Sequence, residues 1–343
     1  MILQFLMGDC MGDIDNQTLD YMANKYRFAD AFNFYMHGGK NVVDPDSLSQ
    51  MDTTLVALPY GVNAKATVQK HRDLVKLCTA IYQERTVLVV MGLELQTLVH
   101  YAMPVRAMLY DAMSYTQQVK EAEASYAKNR VLQPGGEYLS KFRKTDRLMP
   151  VITLTLCLSD EVWDGPTSIH EMLTVEDEQW LKYVPNYTIN LLTPAEIAEE
   201  DFGKFRTGLG PLLKFIKHRK DNTLDWMGGT DLFKRVDWDT GKLINSLAGG
   251  DLELKKEGDS VNMWVALENK VKQARDEAFK EGYQEGLAGV ARAEKTAREK
   301  TKVADIQYIM DSFGVDAQKA MDALRVPIQE QENYAKLILS SSL

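Results

Sequence analysis

The sequence predicts an α/β domain that is followed by a long charged helix and a small helical module. Two β-branched apolar runs, Thr86–Leu93 and Val151–Leu158, have the composition of buried strands. A segment with helical spacing begins between them at Pro104, and an alternation of strands and helices favours an α/β domain. Residues 263–302 are mostly Ala, Glu, Lys, Arg and Gln, which are strong helix formers, so we expect a long exposed helix there.

The composition is that of a folded protein in a reducing compartment. Hydrophobic residues make up 45% and charged residues 26% of the 343 positions, which is typical of a soluble globular chain. No apolar run approaches the roughly 18 residues that a membrane-spanning helix needs. The three cysteines are isolated from one another and from histidine, a pattern that predicts neither a zinc site nor a disulfide framework. We therefore expect a cytoplasmic protein without a membrane segment.

The net charge of the chain is negative, unlike that of a protein whose whole surface binds nucleic acid. The formal net charge is −9, which argues against extensive nonspecific binding to nucleic acid. Two local clusters are basic, however: Lys141, Arg143, Lys144 and Arg147 form the first, and Lys214, Lys217, His218, Arg219 and Lys220 form the second. Each cluster is either part of a basic strip or an ordinary solvated face.

The pattern divides the chain into five segments. We expect a helical lead-in over 1–25, the main domain over 26–225, a glycine-punctuated linker with a short strand over 226–262, the charged helix over 263–302, and a small helical module over 303–343. In the module, Gly314 is expected to end one helix and Asp316 to cap the next, while Pro327 separates a third helix that carries Tyr334.

Two acidic residues stand where a metal site could form. Asp73 lies at a polar-to-apolar boundary, and Glu94 ends the apolar run that follows. The alternation of strand side chains places Glu94 and Gln96 on one face, and a hairpin would bring both acids to the same end of a sheet. Mg²⁺ prefers carboxylate oxygens and water as ligands. Because a buried acid must be paired, solvated or metal-bound, the alternative is an ion pair of Glu94 with Arg72, Lys76 or Arg106.

Several segments together resemble one nuclease family. The segments are Arg27–Asn33, Arg72–Lys76, Gly92–Gln96, Tyr101–Arg106 with Tyr110–Asp111, Leu148–Leu154 and Trp163–Pro166, with Asp52–Thr54 as a weaker match. In combination they are similar to the recombination-promoting nucleases, also called putative transposases, of the PD-(D/E)XK superfamily. The resemblance covers roughly residues 26–225, and more loosely the glycine-containing charged helix and the short helical module that follow. It implies a restriction-endonuclease-like core, a central mixed sheet flanked by helices, and metal-dependent cleavage of DNA in recombination or transposition.

The resemblance also implies roles for individual residues. Asp73 and Glu94 would hold Mg²⁺ or Mn²⁺, and Gln96 stands where the superfamily motif usually has lysine. An amide can hydrogen bond to the attacking water but cannot take its proton, so the metal would carry more of the activation. Asp30 would supply a third acid from the helix before the sheet; its alternatives are a cap or a surface position.

DNA contacts are expected from residues around these acids. Arg106 and Tyr110 are four residues apart on one helical face, and arginine presents a bidentate fork to phosphate. Arg72 and Lys76 are further candidates for DNA binding, although each is also an alternative ion-pair partner of Glu94.

The C-terminal helices suggest a second function class. Gly282 and Gly286 lie four residues apart in the charged helix, either in a seam between copies of the chain or in a solvated, slightly frayed segment. One hypothesis is a DNA endonuclease that forms a homo-oligomer through these helices. The other is a protein that retains the nuclease fold with little or no catalysis and works through interactions of its tail.

Overall fold

The chain forms two compact units. The computed structural model describes residues 11–52, 54–57, 68–71, 73–82, 85–129, 135–221, 223–227 and 231–341. One unit extends to Lys270, and the other begins at Val271.

Helices and strands alternate through the first unit. In chain order the elements are α1 (Met11–Ala23), α2 (Lys25–His37), β1 (Leu48–Gln50), β2 (Thr54–Ala57), β3 (Val68–His71), β4 (Leu74–Tyr82), β5 (Arg85–Gln96), α3 (Met103–Lys128), α4 (Gly135–Ser140), β6 (Val151–Cys157), α5 (Glu178–Leu181), β7 (Asn190–Leu192), α6 (Leu209–His218), β8 (Val236–Asp237), α7 (Trp238–Leu247), β9 (Lys256–Glu257) and β10 (Ser260–Val261). The two apolar runs and the intervening helical segment thus form β5, α3 and β6, as expected.

A central mixed sheet organises this unit. Its five strands lie in the order β1-β4-β5-β6-β7. β4 pairs antiparallel with β1 and β5, whereas β6 pairs parallel with β5 and β7. The parallel β5–β6 pair requires a crossover, which α3 supplies. The prediction of an α/β domain with a central mixed sheet flanked by helices is confirmed.

The two faces of the sheet contact different helices. Leu154 and Leu156 of β6 belong to the main core, together with Phe28 of α2 and Leu212 of α6. Cys157 points to the other face because strand side chains alternate, and it packs in a smaller cluster that contains Met103 and Ala107 of α3. Gln96 pairs with Cys157 across the ladder, so Gln96 and Glu94 lie on the same face of the sheet as Cys157. This is the face that α3 covers.

The segment 226–262 belongs to the main core. Phe233, Val236, Leu243 and Ile244 are all buried there with α2 and α6. Arg27 of α2 donates to Asp237 at 2.7 Å, and a Cβ at Gly208 would collide with the side chain of Thr240. The glycines that interrupt the local pattern predict a linker here, but the burial of these side chains depends on elements about 200 residues away.

The second unit has a small core of its own. α8 (Met263–Phe313) crosses the boundary between the units, and α9 (Ala317–Ala323) and α10 (Ile328–Ser341) follow. Ile306, Met321 and Ile338 are buried together. The backbone of Gly314 is left-handed, and the side chain of Asp316 accepts a bond from the Lys319 amide as an N-cap. These helix boundaries confirm the predicted order of the module.

The charged helix is longer than expected and largely exposed. α8 continues to Phe313, whereas the composition predicted an end near 302. A Cβ added at Gly282 or Gly286 would meet no atom within 4 Å. Packing within the described chain therefore does not offset the cost of about 1 kcal/mol that each glycine has relative to alanine.

Membrane insertion finds no support in the helices. Among the residues that the structure describes, no helix combines the length and the apolar character that spanning a bilayer requires.

Candidate active site

The β4–β5 hairpin brings Asp73 and Glu94 to one end of the sheet. Leu74 of β4 pairs with Leu93 of β5, so the preceding Asp73 and the following Glu94 lie at the same end of the ladder. The carboxylate of Asp73 accepts a hydrogen bond from the backbone amide of Leu95, with 2.7 Å between Oδ2 and N. This bond anchors Asp73 directly beside the segment that carries Glu94 and Gln96.

Glu94 is completely buried and paired with a residue of α3. Its side chain has 0% exposure, and its Oε2 lies 3.3 Å from Nη2 of Arg106, whose side chain is 31% exposed. An unpaired carboxylate in this place would be very costly, so the pair neutralises a charge that the fold removes from water. Of the three alternative partners weighed from the sequence, the structure places Arg106 against Glu94.

Arg106 is in turn held in its charged form. Burial opposes the charge, but the interactions with Glu94, Tyr110 and Asp73 outweigh it and raise the pKa of Arg106 above its ordinary value. The guanidinium also lies 5.5 Å from the centre of the Tyr110 ring. Arg106 therefore connects both candidate metal ligands electrostatically, and α3 positions it because the helix covers this face of the sheet.

The side-chain amide of Gln96 bonds to the backbone of the neighbouring residue. Its Nε2 donates to the carbonyl of Leu95 at 2.6 Å. The other amide atom, Oε1, is an acceptor of hydrogen bonds but not a base.

A cleft of about 430 Å³ opens at this end of the sheet. Its walls come from α1, the ends of β5 and β6 and the start of α3. The lining residues are Asp15, Asn16, Thr18, Leu19, Asp73, Leu95, Gln96, Thr97, Leu98, Val99, His100, Arg106 and Leu158. Asp73, Gln96 and Arg106 thus line one cleft, whereas Glu94 lies beneath it.

Asp30 has a different place and different partners. Its buried carboxylate accepts bonds from the backbone amides of Arg206 and Thr207 at 2.9–3.0 Å and from the Thr207 hydroxyl at 2.7 Å. Among the described residues, no group of three or more His, Cys, Asp or Glu side chains is arranged to hold a metal. Asp30 thus does not join Asp73 and Glu94 in a three-acid cluster; it fastens the loop before α6 to α2.

The other expected DNA contacts have mixed outcomes. Lys76 lies in β4 and is buried. Its Nζ donates to the carbonyl oxygen of Ala23 at 3.0 Å and to Oε1 of Gln50 at 2.9 Å. Burial lowers the pKa of Lys76 below its ordinary value. Tyr110 is also buried, so the side chains of Lys76 and Tyr110 are not exposed for contact with DNA. Arg72 lies outside the described residues.

The two basic clusters differ in how far their charges are paired with acids. In the second cluster Lys214 and Lys217 pair with Glu199, while Arg219 and Lys220 pair with Asp160. Despite the opposing effect of burial, Lys220 and Arg219 hold the pKa of Asp160 below its ordinary value. In the first cluster Lys141 lies 4.0 Å from Glu123, the backbone amide of Arg143 donates to the Asp146 carboxylate, and the Arg147 guanidinium donates to the backbone carbonyl of Asp146. The second cluster is therefore largely ion-paired, whereas both alternatives stay open for the first.

Two polar residues of this region have no role predicted from the sequence. Thr155 of β6 lies opposite Glu94 in the ladder, and its buried hydroxyl has no hydrogen-bond partner among the described residues. His100 lines the cleft, and its Nδ1 is likewise buried without a partner in the described part of the chain. His100 had a detectable signal: it follows Gln96 by four residues, in the connection between a predicted strand and a predicted helix. Thr155 had none, because strand threonines are common.

Comparison with protein-family models, with curated proteins and with solved structures found no match to this chain.

Proposed function

We propose that the chain is a metal-dependent DNA endonuclease of the PD-(D/E)XK type, related to the recombination-promoting nucleases it resembles. The observation that carries the proposal is the hairpin register, which sets Asp73 and Glu94 at one end of the sheet with the Leu95 amide bonded to Asp73. The mixed sheet with flanking helices is the architecture that a restriction-endonuclease-like core would have. The α3 crossover then places a cation, Arg106, beside both acids.

The donor chemistry fits a hard divalent cation. Two neighbouring carboxylates, such as Asp73 at the cleft and the buried Glu94, are typical anchors for Mg²⁺ or Mn²⁺, which complete their coordination with water and substrate oxygens. When bound, the ion would lower the pKa of a coordinated water and stabilise charge on the scissile phosphate. Asp73 already faces the cleft, while Glu94 becomes a ligand once Arg106 withdraws from it.

The protein residues divide the remaining tasks. Gln96 orients the attacking water through its amide, and Arg106 binds a nonbridging phosphate oxygen through its guanidinium. Because Arg106 lines the cleft, its guanidinium can leave the Glu94 carboxylate and bind a phosphate that enters the cleft. The site thus binds its anionic substrate through a local cation, Arg106, although the whole chain is acidic.

Plasmid nicking tests this proposal. Purified protein with Mg²⁺ or Mn²⁺ is expected to nick supercoiled DNA, and Asp73→Asn and Glu94→Gln are expected to lose at least about 100-fold in rate, since each removes a charged ligand. Glu257→Gln, an exposed position in β9, is the matched control and should cleave as the wild type does.

Each alternative outcome has a clear meaning. Absence of cleavage with either metal, or equal cleavage by all four proteins, would refute the nuclease proposal. The thermal unfolding of every variant is recorded in parallel, so that a loss of fold is not mistaken for a loss of catalysis.

A second function has its own supporting observation. Phe279, Tyr283, Leu287 and Val290 form a stripe along α8, and each side chain is more than half exposed. Such a stripe at helical spacing suits association with another apolar helix surface. A protein that works through this tail, with little or no catalysis, is the alternative to the nuclease.

Light scattering on the full chain tests the tail. If the stripe mediates self-association, Phe279→Glu with Tyr283→Glu should lower the molar mass in solution to that of the monomer, because charge in an apolar seam is destabilising. The control is Glu281→Lys with Glu285→Lys, which alters charge on the same exposed helix outside the stripe. An unchanged mass in the stripe variant would eliminate the seam. Deletion of the tail should begin after Lys270, because Met263 and Leu267 are buried in the main core.

A further inference from the structure

The cleft lacks an obvious proton acceptor among the residues that the resemblance implies. Gln96 is an amide whose Nε2 is already directed to the Leu95 carbonyl. Asp73 accepts from Leu95 N, and Glu94 is buried against Arg106. Under the proposed function Asp73 and Glu94 are assigned to the metal, and the Gln96 amide is not a base.

His100 stands at the edge of this cleft in a fixed backbone position. Its carbonyl accepts from the Met103 amide at 2.9 Å, so the residue is tied to the first turn of α3. The half-buried ring lines the same cleft as Asp73, Gln96 and Arg106. Its Nδ1 is buried and has no hydrogen-bond partner among the described residues. A buried polar atom without a partner is uncommon and calls for an explanation, of which a functional role is one.

Other histidines with described side-chain contacts are engaged in structure. His170 uses Nε2 on the Val184 carbonyl at 2.7 Å, and His218 lies between Asp221 and Glu199 at 2.7 and 3.0 Å. Neither residue lines the cleft.

The charged side chains that line the cleft with His100 come from three elements. α1 contributes Asp15, the turn before β4 contributes Asp73, and α3 contributes Arg106. Asp15 is the other carboxylate of the lining and is therefore the competing candidate for the same role.

We infer that His100 is the general base of the cleft, the group that takes a proton from the attacking water in place of the lysine that Gln96 replaces. This inference rests on the proposed nuclease function. As the water oxygen bonds to phosphorus, the imidazole accepts one water proton and the bond from phosphorus to the bridging oxygen breaks. The departing alkoxide takes a proton from solvent, and the imidazolium releases its proton to solvent before the next turnover.

The test compares His100→Gln and His100→Ala with wild type in metal-dependent nicking across a pH series. A positioned base typically contributes 10²–10⁴-fold, so both variants should lose about 100-fold in kcat while their affinity for uncleaved DNA and their melting temperatures stay close to wild type. The wild-type rate should fall with decreasing pH by one protonation step that His100→Gln lacks. Added imidazole should restore part of the rate in His100→Ala, where space for it has been opened, but not in His100→Gln.

The outcomes separate this inference from the function on which it rests. Nicking by wild type together with full rate and an unchanged pH profile in both His100 variants would overturn the role of His100 while leaving the nuclease proposal intact. The same conclusion would follow if Asp15→Asn, and not His100→Gln, removed the protonation step. Failure of wild type to nick DNA would instead refute the proposed function, and the inference with it. His37→Gln, at a histidine outside the cleft lining, is the matched control and should retain the wild-type profile.

Discussion

Arg106→Met is expected to lower the free energy of unfolding by about 3 kcal/mol, at the lower end of the range for breaking a buried ion pair. Glu94 is completely buried, and the substitution removes the guanidinium nitrogen that lies 3.3 Å from its carboxylate. Methionine preserves much of the apolar stem of arginine, so the loss reports mainly on the removal of the positive charge opposite Glu94. Chemical denaturation of wild type and variant without divalent metal measures this difference in the free energy of unfolding.

Two comparisons make this prediction specific. In the double variant with Glu94→Gln most of the loss should be recovered, because no buried charge is then left behind. Mg²⁺ should stabilise Arg106→Met more than wild type, since the ion and Arg106 compete for the same carboxylate and the variant lacks the competitor. A destabilisation below about 1 kcal/mol would show that the pair is not energetically significant, and equal stabilisation by Mg²⁺ in both proteins would argue against Glu94 as a metal ligand.

Asp30→Ala is expected to destabilise the protein by about 3 kcal/mol without weakening metal binding. The carboxylate of Asp30 accepts bonds from two backbone amides and one hydroxyl of the loop before α6, and hydrogen bonds to a charged acceptor are each worth roughly 1.5–3 kcal/mol. Their loss would leave the amides of Arg206 and Thr207 without this acceptor and release the loop from α2.

Calorimetry and unfolding distinguish this structural role from the role of third metal ligand. Asp30→Asn, which keeps one acceptor oxygen, should be less destabilised than Asp30→Ala, and both should retain the wild-type affinity for Mn²⁺. A stable Asp30→Asn protein with a clear loss of Mn²⁺ affinity would restore Asp30 to the metal site. Asp73→Asn serves as the reference variant in which weakened metal binding is expected.

The sequence was informative where local pattern and sheet geometry coincide. The β-branched run before Glu94 predicted β5, and the period of two correctly placed Glu94 and Gln96 on one face. The helix caps at Gly314 and Asp316 could be predicted because each depends on only a few neighbouring residues. The burial of residues 231–262 could not be predicted in this way, because their short elements pack against α1, α2 and α6, which are distant in the sequence or belong to other segments.

Asp30 and Lys76 show the same limit at single residues. Each is a charged side chain in a segment that resembles a nuclease, and both were expected near metal or DNA. Instead, Asp30 fastens a loop 176 residues away, and Lys76 is buried against the carbonyl of Ala23. The partner of a buried charge is chosen by the approach of distant backbone, which composition and spacing do not encode.

Local pattern was sufficient to predict the α/β alternation, the strand that carries Glu94 and Gln96, and the helices that follow the main domain. The tertiary structure alone decided that Glu94 is buried against Arg106, that Asp73 is tied to Leu95, and that His100 enters the same cleft. The physical reason is that secondary structure follows from periodicity and local steric preference, whereas the charge state and accessibility of a site depend on which elements the fold brings together to exclude water.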